Sequence, residues 1–375
     1  MCELGGVMLD AFEGKKEIKA QDRLIYLRWL WLVHKDKNKG MSIAKLASTL
    51  MLSEPTVRNA IARLNTNDYL EVTRNKKKAS EKIYKLKNTP SIPVFFYGKK
   101  ANYIQALLGV NDDFTKLTAE SLARKFMKAA LVMLSNDIGL VSNIGLNKLA
   151  GFTGLSLSRV RKFIDELIHE EFILKFIAGG NAPNLYPKCK SVLILNPRYF
   201  GGALLRINNF PEERLFGLKI NEEVSKALNG RNSKTGKIIL EAEVMALNKH
   251  RLAHRMYHYF YELVAESVAE RAPFKNKQLI TYMLAQSTNT EVNAAIKSSC
   301  NEAVTQYADF VLALITQLEK SMHLLNKKIQ FYCFKSNGDF FVVSNANKSF
   351  EGELEWTAKT TINFQGADVS WQLHK

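Results

Sequence analysis

Apolar residues between Ile43 and Leu64 recur at helical spacing in two short runs, interrupted at Met51-Leu52. The first run, residues 43–50, follows Ser42. The second, residues 54 to about 65, follows Ser53, so each serine stands where a helix cap belongs. Pro55 falls in the first turn of the second run, where a missing N–H is harmless. Val57, Ala60, Ile61 and Leu64 form that helix's apolar stripe, leaving Thr56, Arg58, Asn59 and Arg63 on its other faces. The same pattern returns, without a gap, 103 residues later: residues 43–71 and 146–174 share nine identities. These are Lys45/Lys148, Leu46/Leu149, Ala47/Ala150, Leu52/Leu155, Ser53/Ser156, Val57/Val160, Arg58/Arg161, Ile61/Ile164 and Leu64/Leu167. Most are core-type residues at helical spacing, the signature of a repeated fold.

The periodicity predicts further elements around the repeat. Residues 1–19 carry little pattern and read as a loose tail. Residues 21–34 form an apolar first helix that packs Leu24, Leu27 and Trp31 onto the pair behind it, with Gly40 as the break. Residues 69–72 and 83–86 read as two short strands joined by the basic loop RNKKKASEK. Residues 89–116, with Pro90 and Pro93, form a connector, and residues 117–134 supply a first helix for the second copy. There Ser156 caps residues 157–169, whose core face is Val160, Phe163, Ile164 and Leu167 and whose exposed positions are Ser158, Arg159, Arg161 and Lys162. Strands at residues 172–177 and 191–196 flank a longer, less basic loop. Residues 198–237 read as an irregular linker. Long amphipathic helices over residues 238–271 and 287–325 predict a bundle or a dimer interface. Residues 328–334 and 339–343 flank a hairpin signal at Asn337-Gly338, and a third strand within residues 353–364 completes a small β-meander.

Charge sharpens this picture. The net charge is +17, and residues 1–100 alone hold 20 Lys/Arg against 10 Asp/Glu. The positive field therefore sits mainly on the first copy and points to a polyanion, most simply nucleic acid. The four cysteines are scattered without CxxC spacing, which predicts reduced thiols in a cytoplasmic protein rather than disulfides or a zinc site. No apolar run approaches the ~20 residues of a membrane span, and no basic segment followed by an apolar core suggests a secretory leader.

The pattern Ile43-x-x-Leu46-Ala47, Leu52-Ser53, Val57-Arg58-x-x-Ile61-x-x-Leu64, Tyr69-Leu70, within about residues 20–88, resembles the winged helix-turn-helix family of DNA-binding domains. The resemblance implies a second helix lying in the major groove and a hairpin wing reaching phosphate or minor groove. On that likeness Thr56, Arg58, Asn59 and Arg63 are candidate readers, and Lys76, Lys77 and Lys78 are candidate wing contacts. In the second copy the candidates are Ser158, Arg159, Arg161 and Lys162. Arginine can pair bidentately with guanine and asparagine with adenine, while lysine suits phosphate. Glu166, Glu170 and Glu171, with few wing lysines, suggest that the second copy binds DNA more weakly or serves as a packing partner.

The expected fold class is α+β, mostly α. Two tandem winged-helix domains (residues 20–88 and 117–197) are followed by a helical domain with the terminal β-meander (residues 238–375). The implied function is that of a sequence-specific, double-stranded-DNA-binding regulator of transcription, with a homodimer through the C-terminal helices. Tandem winged helices also suit a plasmid- or phage-type replication initiator, and a protein-interaction scaffold is a third alternative. No P-loop, GxGxxG, GxSxG or HExxH occurs, so neither an enzyme nor a cofactor is expected. His250, His254 and His258, followed by Glu262, recur every four residues, and imidazoles at such spacing can share a metal. Arg251 and Arg255 between them would repel a cation, which favours a polar helix face over a metal site.

Overall fold

The computed structural model describes residues 17–36, 40–74, 80–87, 100–110, 122–142, 144–177, 180–182, 186–189, 191–208, 331–336, 339–344, 362–364 and 367–373, with Phe12 and Lys15. They form a mixed α+β chain with small antiparallel sheets. The chain divides into two compact units, Met1–Ile173 and Leu174–Lys375.

The first unit contains helices α1 (Ala20–Asp36), α2 (Ile43–Thr49) and α3 (Glu54–Thr66), strands β1 (Leu70–Arg74) and β2 (Lys82–Leu86), helices α4 (Ala101–Leu108) and α5 (Leu122–Leu134), the short strand β3 (Leu140–Val141), and helices α6 (Leu146–Thr153) and α7 (Leu157–His169). Helix α1 is its centre. Residues 22–30 are all buried, so no side of that stretch faces solvent, and the helix packs on α3, α4 and α5. Apolar residues all round a helix require such a position. Leu24 and Leu27 are buried as expected, and so are the polar Asp22, Arg23 and Arg28.

The repeat is a repeat of backbone. Helix α7 begins and ends 103 residues after α3, and β4 (Ile173–Ile177) does the same relative to β1. Leu52 N donates to Ala47 O at 3.0 Å and Leu155 N to Ala150 O at 3.2 Å. Tyr69 N donates to Leu64 O, and Phe172 N to Leu167 O, at 3.0 Å each. The left-handed residues match as well: Met51 (φ 52°) with Gly154 (φ 68°), and Asp68 (φ 64°) with Glu171 (φ 56°). Val57, Ala60, Ile61 and Leu64 are buried, as are Val160, Phe163, Ile164 and Leu167.

Several details differ from the sequence expectation. Ser42 and Ser53 occupy N-cap positions but make no side-chain cap bond, whereas the Ser156 hydroxyl accepts from Arg159 N at 3.4 Å. Phe12 and Ile18, in the stretch expected to be loose, are fully buried. The connector contains a helix, α4, with buried Lys100 at its N-cap. Lys100 Nζ donates to Ser135 O at 2.6 Å, to Ser135 Oγ at 2.9 Å and to Asn136 O. These carbonyls gather beyond the end of α5, where a cation is favoured.

The second unit holds β5 (Gly180–Ala182) paired with β6 (Tyr186–Cys189), then β7 (Val192–Leu195) beside β4, and a 3-10 turn at Pro197–Phe200. Strands β8 (Ala203–Asn208), β9 (Phe331–Ser336), β10 (Asp339–Ser344), β11 (Ile362–Phe364) and β12 (Ala367–Leu373) form a five-stranded antiparallel sheet in the order β11-β12-β8-β10-β9. The hairpin expected around Asn337-Gly338 is present, with Ser336 paired to Asp339. The expected meander is corrected. Strand β8, from the stretch expected to be irregular, lies between β10 and β12 at the middle of the sheet. Gly201-Gly202 before it reads as a loop signal, and its partners lie more than a hundred residues away, so no local pattern announces it. The long helices expected within residues 238–325 lie outside the described residues.

Candidate nucleic-acid interface

Helix α3 buries one stripe and turns the rest outward because its apolar residues keep to a single face. Arg58 and Asn59 are exposed, together with Glu54, Pro55, Ala62 and Thr66. Arg58 Nη2 donates to Glu54 Oε1 at 2.5 Å, one turn earlier. Thr56 is half-buried, its Oγ1 2.6 Å from Ser53 Oγ.

Arg63 goes elsewhere. Its Nε and Nη2 donate to the two oxygens of Asp22 at 2.6 and 2.7 Å. The Asp22 side chain is only 1% exposed and also accepts from Lys19 N at 2.9 Å. The hydrogen bonds it donates to Asp22 push Arg63 above its ordinary pKa against the opposing effect of burial. The Arg63 charge is thus committed to a carboxylate in the core, which would otherwise be a costly buried ion. Of the four candidates on α3, the structure brings Arg58 and Asn59 together on the outer face and ties Arg63 inward.

The hairpin beside α3 is rooted by buried Leu70 and Leu86, which face each other in register. Met41 adds a bridge to it, exchanging backbone hydrogen bonds with Tyr84 at 2.9 and 2.8 Å. Glu71 faces Lys85, and at the far end Arg74 faces Lys82. Arg74 and Lys82 are exposed and carry the basic loop between them. Lys76, Lys77 and Lys78 lie outside the described residues. Arg74 and Lys82 were visible in the sequence as the ends of RNKKKASEK, but the expected strands stopped short of both.

In the second copy Ser158, Arg159, Arg161 and Lys162 are all exposed on α7. The Arg159 guanidinium lies over the Phe163 ring, 5.5 Å from its centroid. Lys162 Nζ is 3.8 Å from Glu166 Oε1. Helix α5 covers the acidic end of α7. Arg124 Nε is 3.6 Å from Glu166 Oε2, Arg124 also pairs with Glu170, and Lys128 Nζ is 3.3 Å from Glu170 Oε2. Glu166 and Glu170 are therefore compensated by cations of the preceding helix.

Arg23 joins the copies. It is fully buried in α1, and its guanidinium donates to Lys15 O at 2.9 Å, Ile18 O at 3.0 Å, Gly151 O at 2.7 Å and Phe152 O. The last two carbonyls belong to the C-terminal turn of α6. Burial lowers Arg23 to about 10, partly offset by Tyr69 and Asp22, so it remains charged at neutral pH. Burial also lowers Arg28, which donates to Gly109 O at 3.4 Å, to about 10.

Among the described residues no group of three His, Cys, Asp or Glu could hold a metal ion, and His250, His254 and His258 lie outside them. Nor is any helix among the described residues long and apolar enough to cross a membrane. No family model, curated protein or solved structure matches the chain.

Proposed function

We propose that this chain binds double-stranded DNA in a sequence-specific manner through two winged-helix units and acts as a regulator of transcription. One observation supports the reading above the others. Only two of the nine identities within the repeat are charged, Lys45/Lys148 and Arg58/Arg161, and all four side chains are exposed. Packing accounts for the shared apolar positions but requires nothing of an exposed cation. An arginine at the same outward position of both second helices suits contact with base edges, and a lysine on both first helices suits phosphate. The basic end of the β1–β2 hairpin at Arg74 and Lys82 adds phosphate contacts beside α3.

The test is a set of binding isotherms on a duplex selected from random DNA and on unselected duplexes, at several salt concentrations. Arg58→Ala relaxes sequence preference and weakens the selected site by about 1–3 kcal/mol. Arg74→Ala combined with Lys82→Ala weakens all sequences alike and flattens the log-affinity against log-salt slope by roughly 2. A chain that ignores every duplex at low ionic strength overturns the proposal. The selected site also locates the role, since a promoter position fits regulation and clustered direct repeats fit replication initiation.

A further inference from the structure

Resting on that DNA-binding reading, we propose that Glu54 restrains Arg58 and so holds down the affinity of α3 for duplex DNA. Glu54 is the first residue of α3, and Arg58 stands one turn further along the same face. Their side chains pair at 2.5 Å while remaining 44% and 64% exposed. An exposed pair of this kind adds little to stability, and it is easily exchanged for another partner. Its position is what gives it consequence. A helix that enters the major groove leads with its N-terminal residues, so the Glu54 carboxylate meets the phosphate field whenever α3 docks.

The second copy shows that the frame does not require this acid. The position equivalent to Glu54 is Leu157, and α7 has no acidic residue in its first turn. Arg161 therefore lacks the partner that Arg58 has one turn before it. In the first copy, docking must break the Glu54–Arg58 pair or carry it intact toward the phosphates. Either way a penalty falls on every sequence. Guanine offers Arg58 two acceptors, O6 and N7, in the fork geometry that the carboxylate had occupied. A site with guanine at that place offsets the penalty, and a site without it does not. Glu54 thus lowers affinity everywhere, and at least as much at the correct site, where Arg58 must leave it to reach guanine.

The experiment compares the full chain with Glu54→Gln, Arg58→Ala and the double variant, on the selected duplex and on random duplex across a salt series. Glutamine keeps the size and helix-forming capacity of the residue while removing its charge, and an unchanged melting temperature verifies the fold. Glu54→Gln is expected to raise affinity for the selected site about tenfold and for random duplex by no more than that, so that the ratio between them holds or rises. The salt slope steepens by about 0.9, the value of one additional effective cation. In the Arg58→Ala background the gain in affinity shrinks, because the carboxylate has nothing left to restrain. Affinity unmoved by Glu54→Gln, or a gain undiminished in the Arg58→Ala background, overturns the inference while leaving the DNA-binding reading intact. Loss of preference at a single cytosine overturns it in favour of direct base contact by Glu54. If the unaltered chain gives no isotherm at all, the DNA-binding reading fails first and the inference falls with it.

Discussion

Arg63 and Glu166 occupy equivalent positions of the repeat and carry opposite charges, yet each reaches back to the helix that precedes its own pair. Arg63 meets Asp22 of α1 at 2.6 Å, and Glu166 meets Arg124 of α5 at 3.6 Å. The same junction is held with its polarity reversed. The two versions are not equal in burial, since the Asp22 side chain is 1% exposed whereas Glu166 is 36% exposed. Arg63→Ala strands a buried carboxylate and is expected to destabilise the first unit by about 3 kcal/mol. Adding Asp22→Asn should recover part of that loss. Urea unfolding of the two single variants and the double variant measures the coupling, and additive losses would remove the ion pair as the cause.

The two helix–turn–helix corners differ at one residue for a reason outside the turn. A Cβ on Gly154 would lie 2.4 Å from Ile18 O and 2.9 Å from Arg23 Nε, so the junction between the copies excludes a side chain there. Met51, at the matching corner, is 49% exposed and holds φ 52° as a non-glycine residue. Met51→Gly is therefore expected to stabilise the chain by up to about 1 kcal/mol through relief of the left-handed conformation. Gly154→Ala should destabilise it by at least about 2 kcal/mol, since both the backbone conformation and the contact oppose it. Shifts of the urea midpoint at constant slope measure both effects, and equal effects at the two corners would refute this account.

Arg23 makes a separate prediction about cooperativity. Its donors satisfy carbonyls on both sides of the junction between the copies. Arg23→Met keeps the apolar length but leaves those carbonyls without their donor, with an expected loss of about 3 kcal/mol or more. Arg23→Lys should restore little, because one ammonium cannot reproduce the fork of a guanidinium. The discriminating measurement is amide hydrogen exchange in α6. Protection there should fall in the variant more than in α2, whereas a uniform fall would mean only a loss of global stability.

How far the sequence revealed this arrangement depends on the range of each interaction. The buried stripes of α3 and α7 follow from 3.6-residue periodicity alone, and all eight expected residues are buried. The β9–β10 hairpin follows from two strands joined across Asn337-Gly338. Local pattern could not show that Arg63 is committed to Asp22, 41 residues earlier, because an isolated arginine on a helix surface looks the same whether it faces solvent or a partner. Helix α4 was hidden for a related reason. Its buried face becomes intelligible only beside α5, and its N-cap lysine finds carbonyls 35 and 36 residues away. The outward positions of α3 are legible as positions, but spacing alone does not decide whether an exposed acid and base one turn apart, such as Glu54 and Arg58, pair with each other or face solvent.

Tyr26 provides the last prediction. It is 3% exposed, with Phe12 and Tyr69 edge-on at 5.4 and 5.5 Å. Burial, with a smaller contribution from Tyr69, raises its phenol from the ordinary value near 10 to about 12. Between these values the unfolded chain has released the proton and the native chain retains it. The stabilising contribution is therefore present in full below pH 10 and is lost as pH rises toward 12. Arg23 and Arg28 act in the opposite sense, since burial lowers each to about 10 and the native state releases their protons before the unfolded chain does. These contributions overlap in the same pH range, so the informative quantity is the difference between the natural chain and Tyr26→Phe, which retains the ring packing. Relative to the variant, the natural chain should lose about 1 kcal/mol per pH unit above pH 10. Urea midpoints at pH 9, 10 and 11 give that difference directly. A gap that stays constant across the series would mean that the phenol titrates alike in the native and unfolded states.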